Sequence, residues 1–145
     1  LGRFWSPVEQ QPQIEASVWR KVIVKAAVIP LTALTGLLNG ELLQTPELRA
    51  TLGAIVLEAA AVAHAAGIRP FADDAIDAVA HVCRVTGQNR SSMLQDVLAG
   101  RPTEVRQICG EIVARGEALG APAPLCRAMV ALVEAGVGRT NGGDG

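Results

Sequence analysis

The stretch TPELRATLGAIVLEAAAVAHAAG, residues 45–67, decides the fold. Thr45 stands where an N-cap hydroxyl belongs, Pro46 fits the first turn, and Glu47 supplies an early carboxylate. Leu48, Leu52, Ile55, Val56, Ala59, Val62 and Ala63 then recur at the helical period, and Gly67 terminates the run. Glu58 and His64 interrupt it, and the segment is short for a membrane span of about 20 apolar residues. It reads as a buried helix of a bundle.

Towards the N-terminus lies VWRKVIVKAAVIPLTALTGLL, residues 18–38, inside a first long helix expected from residue 14 or 15 to about 37. Lys25 and Pro30 argue against a membrane span here too. Pro30 removes one backbone donor from the helix, and Asn39-Gly40 is the turn signal expected to end it. Residues 1–13, with two prolines and little periodicity, form a lead-in segment with one short strand around 2–5.

Towards the C-terminus, a third helix is expected over 73–86, with Ile76, Val79, Ala80 and Cys83 on its apolar face. A polar stretch, 87–92, precedes a short helix through MLQDVLAG that Gly100 ends. Thr103 then caps a helix over 104–119, and Pro122 or Pro124 opens a last one through 133. The glycine-rich residues 136–145 read as a frayed tail. No alternating strand ladder appears beyond the lead-in. The chain is an all-α domain of five or six helices over residues 14–135.

Composition narrows the function classes. The 145 residues carry a net charge of −1 and are rich in alanine, valine and leucine, with two Trp, two Phe and no Tyr. That balance gives no basic footprint and few stacking platforms, so a nucleic-acid partner is set aside. Cys83, Cys109 and Cys126 are odd in number and irregularly spaced, and His64 and His81 lack ligand-like company. They read as small buried residues of a reducing compartment, with no metal site. No signal peptide is evident, and no membrane partner is expected, which points to the cytoplasm. Leu1 is not a methionine, so the sequence reads as part of something longer.

Lys21 and Lys25 are the only lysines, and their spacing places them one turn apart on one helix face. A lysine in apolar surroundings can hand a proton to a reacting group, but it can equally lay its stem on apolar surface and keep its ammonium in water. Glu104 is a candidate partner or a simple dipole complement, and Ser91 and Ser92 are candidate ligands or a cap. Gly136-Val-Gly138 is the nearest approach to a glycine-rich nucleotide loop, and it follows a helix rather than a strand. This chain alone is therefore not expected to hold a dinucleotide.

Taken in order, Trp19-Arg-Lys21, PLTAL at 30–34, NGEL at 39–42, SSMLQD at 91–96, GRPTE at 100–104 and Gly110 resemble the C-terminal domain of ketopantoate reductases (2-dehydropantoate 2-reductases). The likeness runs from about residue 16 to 133. It implies a helical bundle like the C-terminal domain of 6-phosphogluconate dehydrogenase, which binds substrate and dimerises beside an N-terminal Rossmann domain. It implies reduction of 2-dehydropantoate to pantoate, towards pantothenate and coenzyme A, in a cleft between the two domains. NADPH would be bound mainly by the Rossmann domain.

By the same resemblance Lys21 is the catalytic lysine, which stabilises the oxygen that gains charge and protonates it. Glu104 is the active-site glutamate, orienting the lysine and contacting the cofactor's ribose side. Ser92 and Asn39 contact substrate. Lys25 and Ile29 stand where the family usually has asparagines, so Lys25 enters the substrate site as a donor-only, charged group. A more acidic 2-keto acid is one consequence. A paralogue with reduced activity, or a non-catalytic helical interaction module that keeps the scaffold, are the alternatives.

Overall fold

A computed structural model describes residues 12–142, and side chains within 15–136. The element order is α1 (Pro12–Thr35), a 3₁₀ turn (Asn39–Leu43), α2 (Pro46–Ala65), α3 (Ala75–Val85), α4 (Ser92–Leu98), a π-helical turn (Arg106–Gly110) leading into α5 (Glu111–Leu119), and α6 (Pro124–Gly142). Among the described residues there is no strand, so the all-α expectation holds. The strand expected at 2–5 lies outside the described residues.

The α2 helix forms as its sequence dictates. The Thr45 hydroxyl accepts from the Leu48 N–H at 3.2 Å, and Gly67 takes φ +80° just past the end. Leu52, Ile55, Val56, Ala59, Val62 and Ala63 are all buried, packed among α1, α3, α5 and α6, while Leu48 is half-buried. By length and composition α2 is apolar enough to cross a membrane. Here that apolar face is instead the centre of the bundle.

The α1 helix stops earlier than Asn39-Gly40. Gly36 adopts φ +76° and its N–H returns to the Thr32 carbonyl at 2.8 Å, which ends the helix at Thr35. Asn39-Gly40 opens the 3₁₀ turn instead, where the Glu41 carboxylate accepts from the Leu38 N–H at 2.7 Å. Pro30 is buried within α1 and leaves the carbonyl four residues back, that of Ala26, without its helical donor. The thiol of Cys109, carried by the π turn, lies 3.8 Å from that oxygen and donates to it. The 104–119 stretch is thus not one regular α-helix. Its first part widens into the π turn that seats Cys109, and α5 proper begins at Glu111.

All three cysteines are buried and unpaired by disulfide, as expected for small core residues. Two of them also belong to a polar chain through the core. Cys126 shares a hydrogen bond with Cys109, and its backbone N–H meets Glu58 at 2.7 Å, while Leu125 N–H meets the other Glu58 oxygen at 2.9 Å. Glu58, inside the apolar run of α2, therefore caps the N-terminus of α6. The hydrogen bond with Cys109, burial and the Glu58 charge push the Cys126 thiol far up, and burial pushes up Cys83. Native protein should accordingly leave these thiols unlabelled by a thiol-disulfide reagent at neutral pH, with all three reacting in denaturant. The sign for stability follows. Cys126 stays protonated when folded but ionises from about pH 8.5 when unfolded, and the raised Cys83 acts in the same direction, so stability is full below that pH and falls above it. Urea melts at pH 7.5 and 9.5 would show a loss of up to roughly 1.4 kcal/mol per pH unit from Cys126, with Cys83 adding to it in the same direction.

Elsewhere the boundaries shift for local reasons. Asp74 caps α3 through the Asp77 N–H at 3.0 Å, so the helix starts at Ala75. Pro124, not Pro122, opens α6, and that helix runs to Gly142 rather than ending at 133. No proline or positive-φ glycine interrupts it, so the expected tail from 136 is helical as far as Gly142. Arg106 binds Glu134 through two bonds, 2.6 and 2.9 Å, joining the π turn to α6.

Candidate functional site

The inward face of α1 is set by Trp19, Ile23, Ala26 and Ala27, which are buried, so Lys21 and Lys25 emerge on the opposite side. Both are exposed. They line a groove of about 410 Å³ with Arg20 and Val24 of α1, facing Phe71, Ala78 and Val82 of the α3 side. Arg20 fixes this geometry: its guanidinium donates to the Pro70 carbonyl at 2.8 Å, holding the connection before α3 against α1. The groove is walled by apolar side chains and edged by three cations, and no carboxylate lines it. Neither lysine forms an ion pair within the described residues.

Asn39 sits at the far end of α3. Its amide nitrogen donates to the Thr86 hydroxyl at 3.0 Å, and that hydroxyl donates in turn to the Val82 carbonyl at 2.7 Å. Because the Thr86 proton is committed to Val82, the Thr86 oxygen must accept, which fixes which end of the Asn39 amide faces it. The Asn39 side-chain oxygen is left buried with no protein partner. Backbone bonds from Asn39 N–H to Asn89 O and from Gly40 N–H to Gly87 O, both 3.1 Å, clamp the 3₁₀ turn onto the loop after α3. Val82 also lines the groove, so Asn39 is tied to the groove wall through one turn of α3.

The structure separates the two serines. Ser91 is the buried cap: its oxygen accepts from the Leu94 N–H at 3.0 Å and shares a 2.6 Å hydrogen bond with the Thr32 hydroxyl of α1. Ser92, the first residue of α4, is exposed. Thr32 is about three turns along α1 from Lys21, ~16 Å of helix rise. Ser92 therefore stands beyond the groove that holds Lys21 and Lys25. Glu104 is exposed immediately before the π turn, its carbonyl accepting from Ile108 N–H at 3.0 Å. It precedes the helix rather than lying in its first turn, and neither it nor Ser92 lines the groove.

The serine assignment is checkable. Ser91→Ala should lower stability by about 1–2 kcal/mol through lost capping and the lost bond to Thr32, whose hydroxyl keeps the Ile29 carbonyl at 2.8 Å, while Ser92→Ala should stay within about 0.5 kcal/mol, both read by urea denaturation.

Sequence reasoning missed Arg20, Phe71 and Thr86 as parts of the site. Arg20 carried a signal as the cation next to Lys21, and Phe71 as an aromatic following a helix-breaking Pro70. Thr86 gave none, because only the packing of the 3₁₀ turn brings Asn39 to it. Among the described residues no group of His, Cys, Asp or Glu is placed to hold a metal ion. Gly136 and Gly138 lie inside α6, and no strand leads into a glycine turn, so the described residues offer no dinucleotide cradle.

Comparison with known proteins places the chain in a family. Residues 13–137 match the family model for the ketopantoate reductase PanE/ApbA C terminal domain. A 2-dehydropantoate 2-reductase of Vibrio cholerae is 40% identical over 124 residues, which span 86% of this chain and 42% of that protein. The crystal structure of a PanE/ApbA family ketopantoate reductase from Ralstonia eutropha JMP134 superposes with a TM-score of 0.80 at 31% identity, covering 88% of this chain and 42% of that one. A D-mandelate dehydrogenase, in a ternary complex with NADH and anilino(oxo)acetate, superposes with a TM-score of 0.82 at 27% identity, covering 88% and 54%. The chain thus spans about two-fifths of the length of the curated relatives it matches. With a helical bundle, two exposed lysines on α1 and the NGEL and SSMLQD segments in their expected order, the chain belongs to the C-terminal domain family of the ketopantoate reductases.

Proposed function

We infer that this chain is the substrate-facing domain of an NADPH-dependent reductase that converts a 2-keto acid, of the 2-dehydropantoate type, to its 2-hydroxy acid. The observation that carries the reading is the Lys21 ammonium, exposed and free of carboxylates on the edge of an apolar groove. Negative charge develops on the keto oxygen as the carbon is reduced. A positioned ammonium stabilises that charge and then donates the proton from Nζ. The apolar wall of Val24, Phe71, Ala78 and Val82 limits competing water around the charge. Glu104 and Ser92 do not line the groove, so their assignment to the cofactor's ribose side and to the substrate rests on the family resemblance alone, and Asn39 reaches the groove wall only through Thr86 and Val82.

The nicotinamide supplies hydride when bound, and its phosphates require a cradle that the described residues do not offer. The reading therefore includes an N-terminal Rossmann domain facing the groove. A homodimer and a cytoplasmic location go with it. The relatives named above support the chemistry, since one is a 2-dehydropantoate 2-reductase and another was solved with NADH and an oxoacetate.

Ile29 favours a paralogue over a strict ketopantoate reductase. It packs against the hydrophobic core rather than offering a polar group to a ligand. The deciding experiment is a steady-state assay of the intact protein with NADPH and a panel of branched 2-keto acids including ketopantoate. Consumption of NADPH dependent on one of them supports the reading. No turnover of any 2-keto acid refutes it.

A further inference from the structure

We propose that the groove receives a 2-keto acid bearing a second carboxylate at the far end of a short aliphatic chain, and that Lys25 selects it. The inference rests on the reading of Lys21 given above and names the class of substrate for that same site. Its starting point is an imbalance of charge. Arg20, Lys21 and Lys25 edge one groove, and no acidic side chain lines it. The nearest acidic stretch, Asp73, Asp74 and Asp77, does not offset them. Asp74 is committed to capping α3, and none of the three forms an ion pair with either lysine.

Two ammonium groups one turn apart repel each other, so their shared exposure on one edge is relieved when an anion lies across them. Lys21 and Lys25 are separated by ~6 Å of helix rise. With Lys21 on the keto oxygen, Lys25 meets the substrate further along its chain. There it can only donate, and it carries a full charge, so it rewards an acceptor-only anion above a neutral hydroxyl. Between the two ends, Val24, Phe71, Ala78 and Val82 present an apolar wall that suits methylene groups and offers no polar partner. Arg20 keeps its guanidinium at the edge because the Pro70 carbonyl holds it there, and only part of its donor capacity is spent on that bond. One turn beyond Lys25, Ile29 packs on the core, so the polar part of this α1 face ends at Lys25. An aliphatic body with an anion at each end matches this order of groups.

The test uses the intact protein with NADPH and two substrates of equal chain length, 2-oxovalerate and 2-oxoglutarate. The expected result is a kcat/KM at least about 10-fold higher for the dicarboxylate. Lys25→Asn and Lys25→Met should each lower that ratio by at least about 10-fold, and Lys25→Arg should keep most of it. A wild-type ratio near one, a preference for the monocarboxylate, or a ratio that Lys25→Asn leaves unmoved overturns the proposal. Should the protein reduce neither acid yet turn over a branched 2-keto acid of the panel, the proposal is overturned and the reductase reading stands; should it reduce no 2-keto acid at all, that reading fails, and calorimetric titration with unreactive glutarate and valerate judges the groove separately. Glutarate binding that weakens about 10-fold or more in Lys25→Asn supports the selective anion site, and equal or absent binding of the two acids overturns it.

Discussion

Replacing Lys21 by alanine in the intact protein should lower kcat on its 2-keto acid by about 100- to 10,000-fold, the range expected when a positioned general acid is lost. The side chain is exposed and makes no ion pair, so the variant should unfold at the same urea concentration as the parent. That pairing of outcomes separates chemistry from stability. Lys21→Arg sharpens the point. A guanidinium keeps the positive charge but does not release a proton in the accessible pH range, so substrate binding should persist in KM while kcat stays low. A parent-like kcat in either variant would remove Lys21 from the reaction.

Glu58→Ala should be the most damaging single change to stability among those considered, costing about 3 kcal/mol. The carboxylate accepts from both Leu125 and Cys126 N–H at the start of α6, at 2.9 and 2.7 Å. Alanine leaves both donors unsatisfied at a partly buried helix end and removes the charge that complements it. Glu58→Gln keeps one acceptor and should cost about half as much. Chemical denaturation of the chain measures both, and a loss below about 1 kcal/mol for alanine would mean that solvent replaces the carboxylate.

These two residues also show how much was legible in the residues alone. Lys21 stood out because lysine is confined to two positions, and the helical period placed both on one face. The bundle itself was legible from caps and terminators, since Thr45, Ser91 and Gly67 act locally and within reach of their own helices. Glu58 was read only as an interruption of an apolar run. Its partners lie 67 and 68 residues away, and only the packing of α2 on α6 identifies them. The same holds for Cys109, whose role depends on a carbonyl freed by Pro30 on another helix. Ser92 and Glu104 came from family resemblance, and the groove at Lys21 and Lys25 does not include them. Arg20 went unread because an exposed arginine has no fixed address until a carbonyl such as that of Pro70 is brought to it.

The seam between the 3₁₀ turn and the loop after α3 has a longer reach. A β-carbon on Gly40 would lie 2.9 Å from the Gly87 Cα, and one on Gly87 would lie 3.1 Å from the Arg84 carbonyl, so backbone meets backbone with no side chain to yield. Variation in this protein is thereby channelled. The frame that presents Asn39 must shift its backbone to take a β-carbon at Gly40 and must give by a few tenths of an ångström at Gly87, whereas the exposed edge of α1 can be rewritten one side chain at a time. New substrate preferences can arise at position 25 while the opposite side of the crevice stays as it is.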